Sequence, residues 1–296
     1  MTDAARRPNL FLVGSMKCGT TSLHNMLATH PSIFMCQNPK EPAWFSGGNS
    51  GKDLDWYLER FADAADQSFV GESSTDYTKA PRLGCAAAKI KAFAKDARIL
   101  YIMRDPVARA VSHYWWEVEY SAEGRSFPEA MKSAREIADV GHYAMQIAPY
   151  IEAFGRERVH ALTMEELTAD PERAMGAIYD FLRLEHVARE AAPLPRDNAG
   201  KSTVPRVTGS AALSRLKGTP VWLAAKALIP SSLRKQAMAA LARPVERAIP
   251  GDDLAAAVES IRPRMIAETQ RLSQLLGREF PEWRWLHDAV PPASIE

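Results

Sequence analysis

The stretch that decides the fold is LFLVGSMKCGTTSLHNML, which runs from Leu10 to Leu27. A short apolar run of strand length is followed by a glycine-containing turn and then by a helical pattern. Such a turn directs several backbone N–H groups and the positive end of a helix dipole toward one place, which suits a phosphate group. The segment therefore predicts an anion site at the end of a strand, with a tight turn and an incidental lysine as the alternative.

The spacing of this loop is close to that of an ATPase phosphate loop, but it differs at the lysine. Gly14 and Gly19 have the separation of the two glycines in G-x-x-x-x-G-K-[ST], and Thr20 stands where the lysine belongs. Lys17 lies inside the loop instead, while Thr20 and Thr21 supply hydroxyl groups at the helix start. The sequence also lacks a convincing magnesium ligand. Transfer of a γ-phosphate would therefore lack the Mg²⁺ ion that usually neutralises the phosphate charge.

A second segment, YIMRDPVARAVSHYWW, places an arginine at the end of an apolar strand. Arg104 closes that strand, and Ser112 follows eight residues later in the next helix. Asp105 is placed to cap this helix, and Pro106 suits its first turn. An arginine and a serine in this arrangement can share one phosphate, through a charge-assisted fork and a short hydrogen bond. A surface arginine followed by an ordinary helical serine is the alternative.

Apolar runs of strand length alternate with helical patterns along the chain. The runs cover residues 10–13, 33–36, 69–72, 99–103 and 159–163. The helical patterns cover residues 20–29, 85–97 and 106–120, with a further one that opens at Asp170-Pro171. This alternation predicts an α/β fold, a P-loop-like three-layer αβα arrangement around a central, mainly parallel sheet of about five strands.

The C-terminal part differs in amino-acid composition from the rest of the chain. The stretch PLPRDNAGKSTVPRVTGS, residues 193–210, predicts a loop, and basic amphipathic helices are expected after it. We expect Pro263 to interrupt the last of them. Residues 219–250 mix apolar and basic side chains, so they suit either a membrane surface, with a lipid-bearing substrate, or a solvated helix packed on the core. We treat the chain as one domain, with a core at about 9–206 and a helical portion at about 207–296.

Composition narrows the possible classes of protein. The 296 residues contain 46% hydrophobic and 25% charged residues, enough for one large core. Lys and Arg number 37 against 36 Asp and Glu, so net charge gives no support for a nucleic-acid partner. Cys18, Cys36 and Cys85 match neither a zinc site nor a disulfide framework, which predicts free thiols. The sequence shows neither a signal-peptide core nor a membrane-spanning run, so we expect a cytoplasmic protein.

The two anion-binding segments together resemble a known family. Residues 14–23, GSMKCGTTSL, are similar to the 5′-phosphosulfate loop of the sulfotransferases that use 3′-phosphoadenosine 5′-phosphosulfate (PAPS). Residues 104–116, RDPVARAVSHYWW, are similar to the 3′-phosphate motif of those enzymes. The resemblance is closer to the carbohydrate-type branch, which is related to heparan-sulfate sulfotransferases and many bacterial enzymes. It covers about residues 9–206 in consistent order.

Three further segments carry the same resemblance. NPKEPAWFS, residues 38–46, resembles the family's Lys-Glu-Pro-His-Phe-Phe pattern, and GESSTDY, residues 71–77, resembles its Gly-Glu-Lys-Ser/Thr-x-x-Tyr stretch. Residues 141–171 follow its course from Gly-x-Tyr to Glu-x-Leu-x-x-Asp-Pro. The chain departs from the family at Ala43-Trp44, where His-Phe is usual, and at Ser73, where lysine is usual. Both departures fall on the acceptor side of family members, so the resemblance does not identify the acceptor.

The resemblance implies transfer of a sulfuryl group from PAPS to a hydroxyl of a sugar-containing or other small acceptor. Adenosine 3′,5′-bisphosphate is then the product, and no metal is expected. Lys17 offsets charge on the leaving phosphate, and Glu41 is the general base, with His24, His113 and His142 as rivals. The implied donor contacts are Ser15, Lys17, Cys18, Gly19, Thr20, Thr21, Arg104, Ser112, Lys201 and Arg206. The implied acceptor contacts are Lys40, Trp44, Glu72 and Tyr77.

Other functions and another role for Glu41 stay open at this point. A P-loop kinase or NTPase is one alternative, disfavoured by the absent Gly-Lys-Thr and by the pairing of Arg104 with Ser112. A nucleotide-binding regulatory module whose C-terminal helices contact a partner is another. Glu41 has a purely structural alternative as well, which is an ion pair with Lys40.

Overall fold

The computed structural model describes residues 7–46, 52–121, 123–133, 135–187, 202–207, 240 and 242–288. The strands of its main sheet are β1 (Leu10–Leu12), β2 (Ile33–Met35), β3 (Phe69–Ser73), β4 (Arg98–Met103) and β5 (Val159–Thr163). They are parallel and lie in the order β2-β3-β1-β4-β5. The predicted parallel sheet of about five strands is confirmed.

Helices surround this sheet, and two predicted helix starts are confirmed. The helices are α1 (Thr20–Ala28), α2 (Leu54–Glu59), α3 (Ala87–Phe93), α4 (Pro106–Ser121), α5 (Phe127–Ser133), α6 (Arg135–Asp139), α7 (Tyr143–Phe154), α8 (Met164–Ala169), α9 (Pro171–Leu182), α10 (Gly251–Leu276) and α11 (Arg284–His287). Asp105 Oδ1 caps α4 by accepting from the N–H groups of Val107 at 2.9 Å and Ala108 at 3.2 Å. Asp170 caps α9 by accepting from the Arg173 N–H at 3.0 Å.

The central strands are apolar at successive positions because both faces of the sheet are covered. Leu10, Phe11 and Leu12 are no more than 1% exposed. Leu12 lies level with Ser73 of β3 on one side and with Leu100 of β4 on the other. Because parallel strands end at the same edge of a sheet, the segments that follow β1, β3 and β4 lie side by side, where α/β proteins bind ligands.

Pro263 does not interrupt the last long helix, so that prediction is wrong. α10 runs without a break over 26 residues, with Pro263 inside it. A proline removes one backbone hydrogen bond from a helix interior. Here a long buried stripe that packs on α5 and α7 keeps the helix together on both sides of the proline; its members include Leu254, Ile261, Met265 and Leu272.

Two strands replace part of the predicted C-terminal loop and helices. β6 (Thr203–Val207) and β7 (Ala242–Glu246) pair in an antiparallel ladder, and β6 packs on α4. Residues 203–207 were expected in a loop and residues 242–246 in a helical region, so both expectations are wrong. This pair of strands is called the β6–β7 hairpin below. Val204 of β6 is 1% exposed, and its burial stabilises the hairpin through a contact that the local sequence does not reveal.

Parts of the chain that the sequence singled out lie outside the described residues. They are Lys201 and most of the amphipathic segment 219–250. Among the described helices, none combines the length and the hydropathy needed to cross a membrane. The three cysteines are free thiols, as predicted. The division into a core and a helical C-terminal portion stays a prediction.

Gly14 occupies a position that excludes a side chain. A Cβ atom there would lie 2.0 Å from Thr78 Oγ1 and 3.2 Å from Tyr101 Cε2, at a φ of +155°. Thr78 cannot easily move, since its hydroxyl donates to the Val13 carbonyl at 2.8 Å. We expect Gly14→Ala to lower the free energy of unfolding by about 1–3 kcal/mol, measured by urea denaturation. Gly84→Ala is the matched control, because nothing lies within 4 Å of a Cβ there. Equal midpoints for the two variants would contradict this account.

Candidate active site

The loop between β1 and α1 is fixed to β4 and places Lys17 in an unusual conformation. The Ser15 N–H donates to the Ile102 carbonyl at 2.7 Å, and the Cys18 N–H donates to the Ser15 carbonyl at 3.2 Å. Lys17 between them has a φ of +70°, which is uncommon outside glycine and is retained only where the surroundings enforce it. Ser15 Oγ also donates, to the Val140 carbonyl at 3.3 Å. In this structure Ser15 and Cys18 therefore use these donors to shape the loop.

The start of α1 supplies the open donors of this loop. Gly19 is the N-cap residue, with a φ of +85°, and no side chain caps the helix. The first N–H groups of a helix have no intrahelical acceptor, and the helix dipole adds positive potential there. Thr20 and Thr21 add hydroxyl groups at the same place. The helix start is therefore suited to an anion in the position where a capping oxygen would otherwise lie.

Lys17 lies in an environment of positive charge. Burial lowers its pKa most, the charges of Arg247 and Arg104 lower it further, and Glu119 opposes them. The Lys17 ammonium makes no hydrogen bond to any described residue. Neighbouring cations repel one another, and a bound anion offsets that repulsion. The sequence did not point to Arg247 as a neighbour of this loop, because nothing near it in the chain forms a motif.

Tyr143 joins the two predicted phosphate-binding segments. Its hydroxyl donates to the Arg104 carbonyl at 2.7 Å and accepts from the Arg104 N–H at 3.3 Å. The same oxygen lies 3.5 Å from Cys18 Sγ. Burial raises the pKa of the Cys18 thiol to about 11, so Cys18 stays protonated here. Tyr143 thus fixes the end of β4 against the loop after β1, a role signalled in the sequence only by the Gly-x-Tyr pattern.

Arg104 and Ser112 follow β4 as predicted. Arg104 comes directly after the strand, and Ser112 lies in α4 with 8% of its surface exposed. Neither the Arg104 guanidinium nor the Ser112 hydroxyl has a hydrogen-bond partner among the described residues. Arg206 is different, because its guanidinium donates to the carbonyls of Gly124 at 2.7 Å and Arg125 at 3.2 Å. Its predicted phosphate contact, like that of Lys201, stays a prediction.

Glu41 is held by the segment that follows β3, which lies next to the end of β1. Its Oε2 accepts from the Thr75 N–H at 3.1 Å and from Thr75 Oγ1 at 2.9 Å. Its Oε1 lies 3.2 Å from Lys40 Nζ, and 38% of its side chain is exposed. The Ser74 N–H donates to the Leu12 carbonyl at 3.1 Å, which brings this segment against β1. Glu41 therefore has the ion pair with Lys40 and, at the same time, an oriented carboxylate open to solvent.

Glu72 lies beneath this segment and accepts three hydrogen bonds. Tyr57 and Tyr77 donate to its Oε1 at 2.6 and 2.8 Å, and Ser74 Oγ donates to its Oε2 at 2.6 Å. Burial raises the pKa of Glu72, and the three hydroxyl donors oppose that shift. Glu72 is fully buried and Tyr77 is 2% exposed, so neither side chain reaches the surface here. Their predicted contact with an acceptor stays a prediction, and the burial favours a supporting role.

The Glu72 cluster, formed by Glu72, Tyr57, Tyr77 and Ser74, positions the segment that contains Glu41. Ser74 Oγ accepts from the Ala43 N–H at 3.0 Å, and the Tyr77 hydroxyl accepts from the Phe45 N–H at 3.4 Å. Trp44, which is partly exposed, stacks on Tyr57 with ring centroids 5.5 Å apart and planes inclined by 15°. A flat aromatic surface therefore lies a few residues from the candidate base.

The rival histidines are buried. His24 is fully buried, with Nδ1 2.7 Å from Ser73 Oγ and Nε2 3.3 Å from Gln37 Nε2. Burial, with a smaller effect of Lys40, lowers the pKa of His24 to about 4. His113 is 1% exposed and its pKa is also about 4, again chiefly because of burial. Burial lowers the pKa of His142 as well. Rings enclosed to this degree have little access to an acceptor hydroxyl, which favours structural roles for all three.

The comparison with protein families agrees with this geometry. The profile of the Sulfotransferase domain matches residues 7–193, more than half of the chain, and includes both predicted phosphate-binding segments. This chain belongs to the sulfotransferase family. The predicted family is therefore confirmed, and the matched residues end before the β6–β7 hairpin begins.

Known sulfotransferases are similar to this chain in sequence and in fold. Heparan sulfate glucosamine 3-O-sulfotransferase 3B1 from Homo sapiens is 25% identical over 189 residues, 61% of this chain and 47% of that protein. Bifunctional heparan sulfate N-deacetylase/N-sulfotransferase 1 from Mus musculus is 27% identical over 60% of this chain and 22% of its own length. The chain thus spans less than half the length of these relatives. A crystal structure of a sulfotransferase from Alicyclobacillus acidocaldarius has a TM-score of 0.64 and 26% identity, and the match covers 94% and 99% of the two chains.

Proposed function

We propose that this protein transfers a sulfuryl group from PAPS to a hydroxyl of a sugar-containing or other small natural-product acceptor. One observation carries the proposal. Two sets of groups suited to an anion, the Lys17 loop with the start of α1 and the side chains of Arg104 and Ser112, follow neighbouring strands, and Tyr143 contacts both segments. PAPS carries a 3′-phosphate and a 5′-phosphosulfate on one ribose, whereas ATP has no 3′-phosphate. Two anion sites at a fixed separation therefore suit PAPS better than ATP.

The chemistry assigned to the site follows from charge. The sulfur–oxygen bond to the 5′-phosphate breaks as the acceptor oxygen attacks in line, and the phosphate leaves with one more negative charge. Lys17 and the first N–H groups of α1 offset that charge as it develops. The acceptor hydroxyl loses its proton to Glu41, which ends the step as a neutral carboxylic acid. The products are the sulfated acceptor and adenosine 3′,5′-bisphosphate.

Glu41 is the proposed base because its carboxylate is both held in one orientation and accessible to solvent. Two hydrogen bonds from Thr75 fix one carboxylate oxygen, while over a third of the side chain is open to solvent. A base must lie within hydrogen-bond reach of the hydroxyl that it deprotonates. His24 and His113 have no comparable access, and burial lowers the pKa of each ring to about 4, which makes it a weaker base than a free histidine.

The acceptor class is proposed from the side chains near Glu41 and from the names of the relatives. Trp44 stacks on Tyr57 beside the Glu41 segment, and a flat aromatic face suits the apolar face of a sugar ring. Lys40 adds a cation for a polar or acidic acceptor. Relatives of this chain are named as heparan sulfate sulfotransferases, which act on a glycan. A membrane-associated sulfotransferase from Dictyostelium discoideum is also similar, at 28% identity over 41% of this chain, so the cytoplasmic location stays a prediction.

Selectivity for the 3′-phosphate tests the donor. We expect Ser112→Ala to lower the preference for adenosine 3′,5′-bisphosphate over adenosine 5′-phosphate about tenfold, since one hydrogen bond to a charged group is lost. Isothermal titration calorimetry with both nucleotides measures the ratio. Ser121→Ala, at the far end of the same helix, is the matched control and should leave the ratio unchanged. A wild-type protein that binds both nucleotides equally would contradict the assignment of PAPS.

Transfer itself separates this function from its alternatives. Incubation with sulfur-labelled PAPS and a panel of hydroxyl-bearing acceptors should give a labelled product that mass spectrometry identifies. Magnesium-dependent release of phosphate from ATP would instead favour the kinase or NTPase. Tight binding of adenosine 3′,5′-bisphosphate without transfer to any acceptor would favour the regulatory module.

A further inference from the structure

The β6–β7 hairpin carries an arginine that has no partner for one of its buried donors. Arg247 directly follows β7, and its backbone N–H donates to the Ser202 carbonyl at 2.8 Å. Its guanidinium Nε is buried and has no hydrogen-bond partner within the part of the chain that the structure describes. A buried donor without an acceptor costs free energy, so natural proteins rarely retain one without a reason.

Strand pairing shows which face of the hairpin Arg247 occupies. Val204 lies level with Val245, and Ser202 and Arg247 are the pair two positions farther along the ladder. Residues two apart on a strand share a face, so Arg247 lies on the same face as Val204. Val204 is 1% exposed and the hairpin packs on α4, which makes this the inward face.

The charges around Arg247 identify what lies beside it. Among charged neighbours, Arg247 lowers the pKa of Lys17 more than Arg104 does. The pKa of Arg247 is itself lowered, first by burial and also by Arg104, while Glu119 of α4 opposes the shift. Arg247 therefore lies near both Lys17, in the loop after β1, and Arg104, at the end of β4, and it affects Lys17 more than Arg104 does. Two neighbouring cations such as Lys17 and Arg247 stabilise an anion with several oxygens.

We propose that Arg247 binds the 5′-phosphosulfate end of the donor together with Lys17, an inference that rests on the PAPS-dependent function proposed above. The guanidinium is a planar fork that can donate to two oxygens of one phosphate or sulfate group, and its unpartnered Nε is part of that fork. Arg206 on the same hairpin is less suited, because two carbonyls already accept from its guanidinium. The hairpin, which lies beyond the matched family segment, is thus a wall of the donor site.

A substitution that keeps the volume and removes the charge tests this contact. We expect Arg247→Met to raise the Kd of adenosine 3′,5′-bisphosphate about tenfold to a hundredfold, measured by calorimetry. The Kd of adenosine 5′-phosphate should rise by a similar factor, because the contact is to the 5′ end. Arg247→Lys should recover part of the affinity, since it keeps the charge without the fork. Arg243→Met, an exposed arginine of the same hairpin, is the matched control and should bind as the wild type does.

Each outcome separates the inference from the proposed function. If the wild type binds adenosine 3′,5′-bisphosphate and Arg247→Met binds it equally well, the inference is wrong and the proposed function stands. An equal loss in Arg243→Met, or a loss confined to the 3′,5′-bisphosphate, would also overturn it. If the wild type binds neither nucleotide, the proposed function fails and the inference fails with it. Thermal unfolding of each variant confirms that a change in binding is not a loss of folding.

Discussion

Lys17→Met should lower the turnover number for sulfuryl transfer about a hundredfold or more, the effect of losing one preorganised group that stabilises charge. The charge on the 5′-phosphate grows as the sulfur–oxygen bond breaks, so Lys17 contributes more to the transition state than to the bound donor. Most of the loss should therefore appear in kcat rather than in KM for PAPS. Single-turnover transfer from labelled PAPS, with adenosine 3′,5′-bisphosphate binding measured in parallel, separates the two.

Folding should not suffer from this substitution. Burial and two neighbouring arginines lower the pKa of Lys17, so the folded protein binds that proton less tightly than the unfolded chain does. At neutral pH, below the unfolded pKa, a charged Lys17 therefore weakens folding, and removing its charge should not lower the unfolding temperature. Lys91→Met is a control for loss of a lysine that lies away from this loop. A Lys17→Met enzyme that keeps full turnover would remove Lys17 from the chemistry.

The positions of the two predicted phosphate-binding segments could be read from the sequence because their signal is local. β1 and β4 are continuous apolar runs, since a central parallel strand is buried on both faces. Lys17 lies in the short turn after the first run, and Arg104 directly follows the second. Asp105 with Pro106 marks the start of α4 in the sequence itself. Strand order then needs only the rule that parallel strands end at one edge. Sequence alone could therefore place these cations near one another.

The remaining features depend on contacts between distant parts of the chain. β6 and β7 each contain a proline, which argues against a strand until the two are seen to pair, with Pro205 level with Pro244. A strand with an unpaired edge can accept a residue that donates no hydrogen bond. Arg247 reaches the Lys17 loop only because of this pairing. Pro263 likewise looks like an interruption until the packing on both sides of it is known.

Glu41→Gln should lower the rate of transfer by about a hundredfold or more while donor binding is unchanged, because general-base catalysis contributes on that scale. Glutamine keeps an oxygen that can accept from Thr75, so the segment should hold its conformation. The substitution removes only the capacity to take a proton at neutral pH. Single-turnover transfer measures the loss, and calorimetry with adenosine 3′,5′-bisphosphate shows that the donor site is intact.

Lys40→Met distinguishes a base from a structural ion pair. The Lys40–Glu41 pair is partly exposed, and exposed pairs contribute about 0–1 kcal/mol to stability. If Glu41 served only that pair, removing Lys40 would reproduce the effect of Glu41→Gln. If Glu41 is the base, Lys40→Met should keep most of kcat and alter chiefly KM for the acceptor. Equal losses in the two variants would therefore remove Glu41 from the chemistry and leave the proton to another acceptor. A large difference would assign the proton to the Glu41 carboxylate, which Thr75 holds at the end of β3.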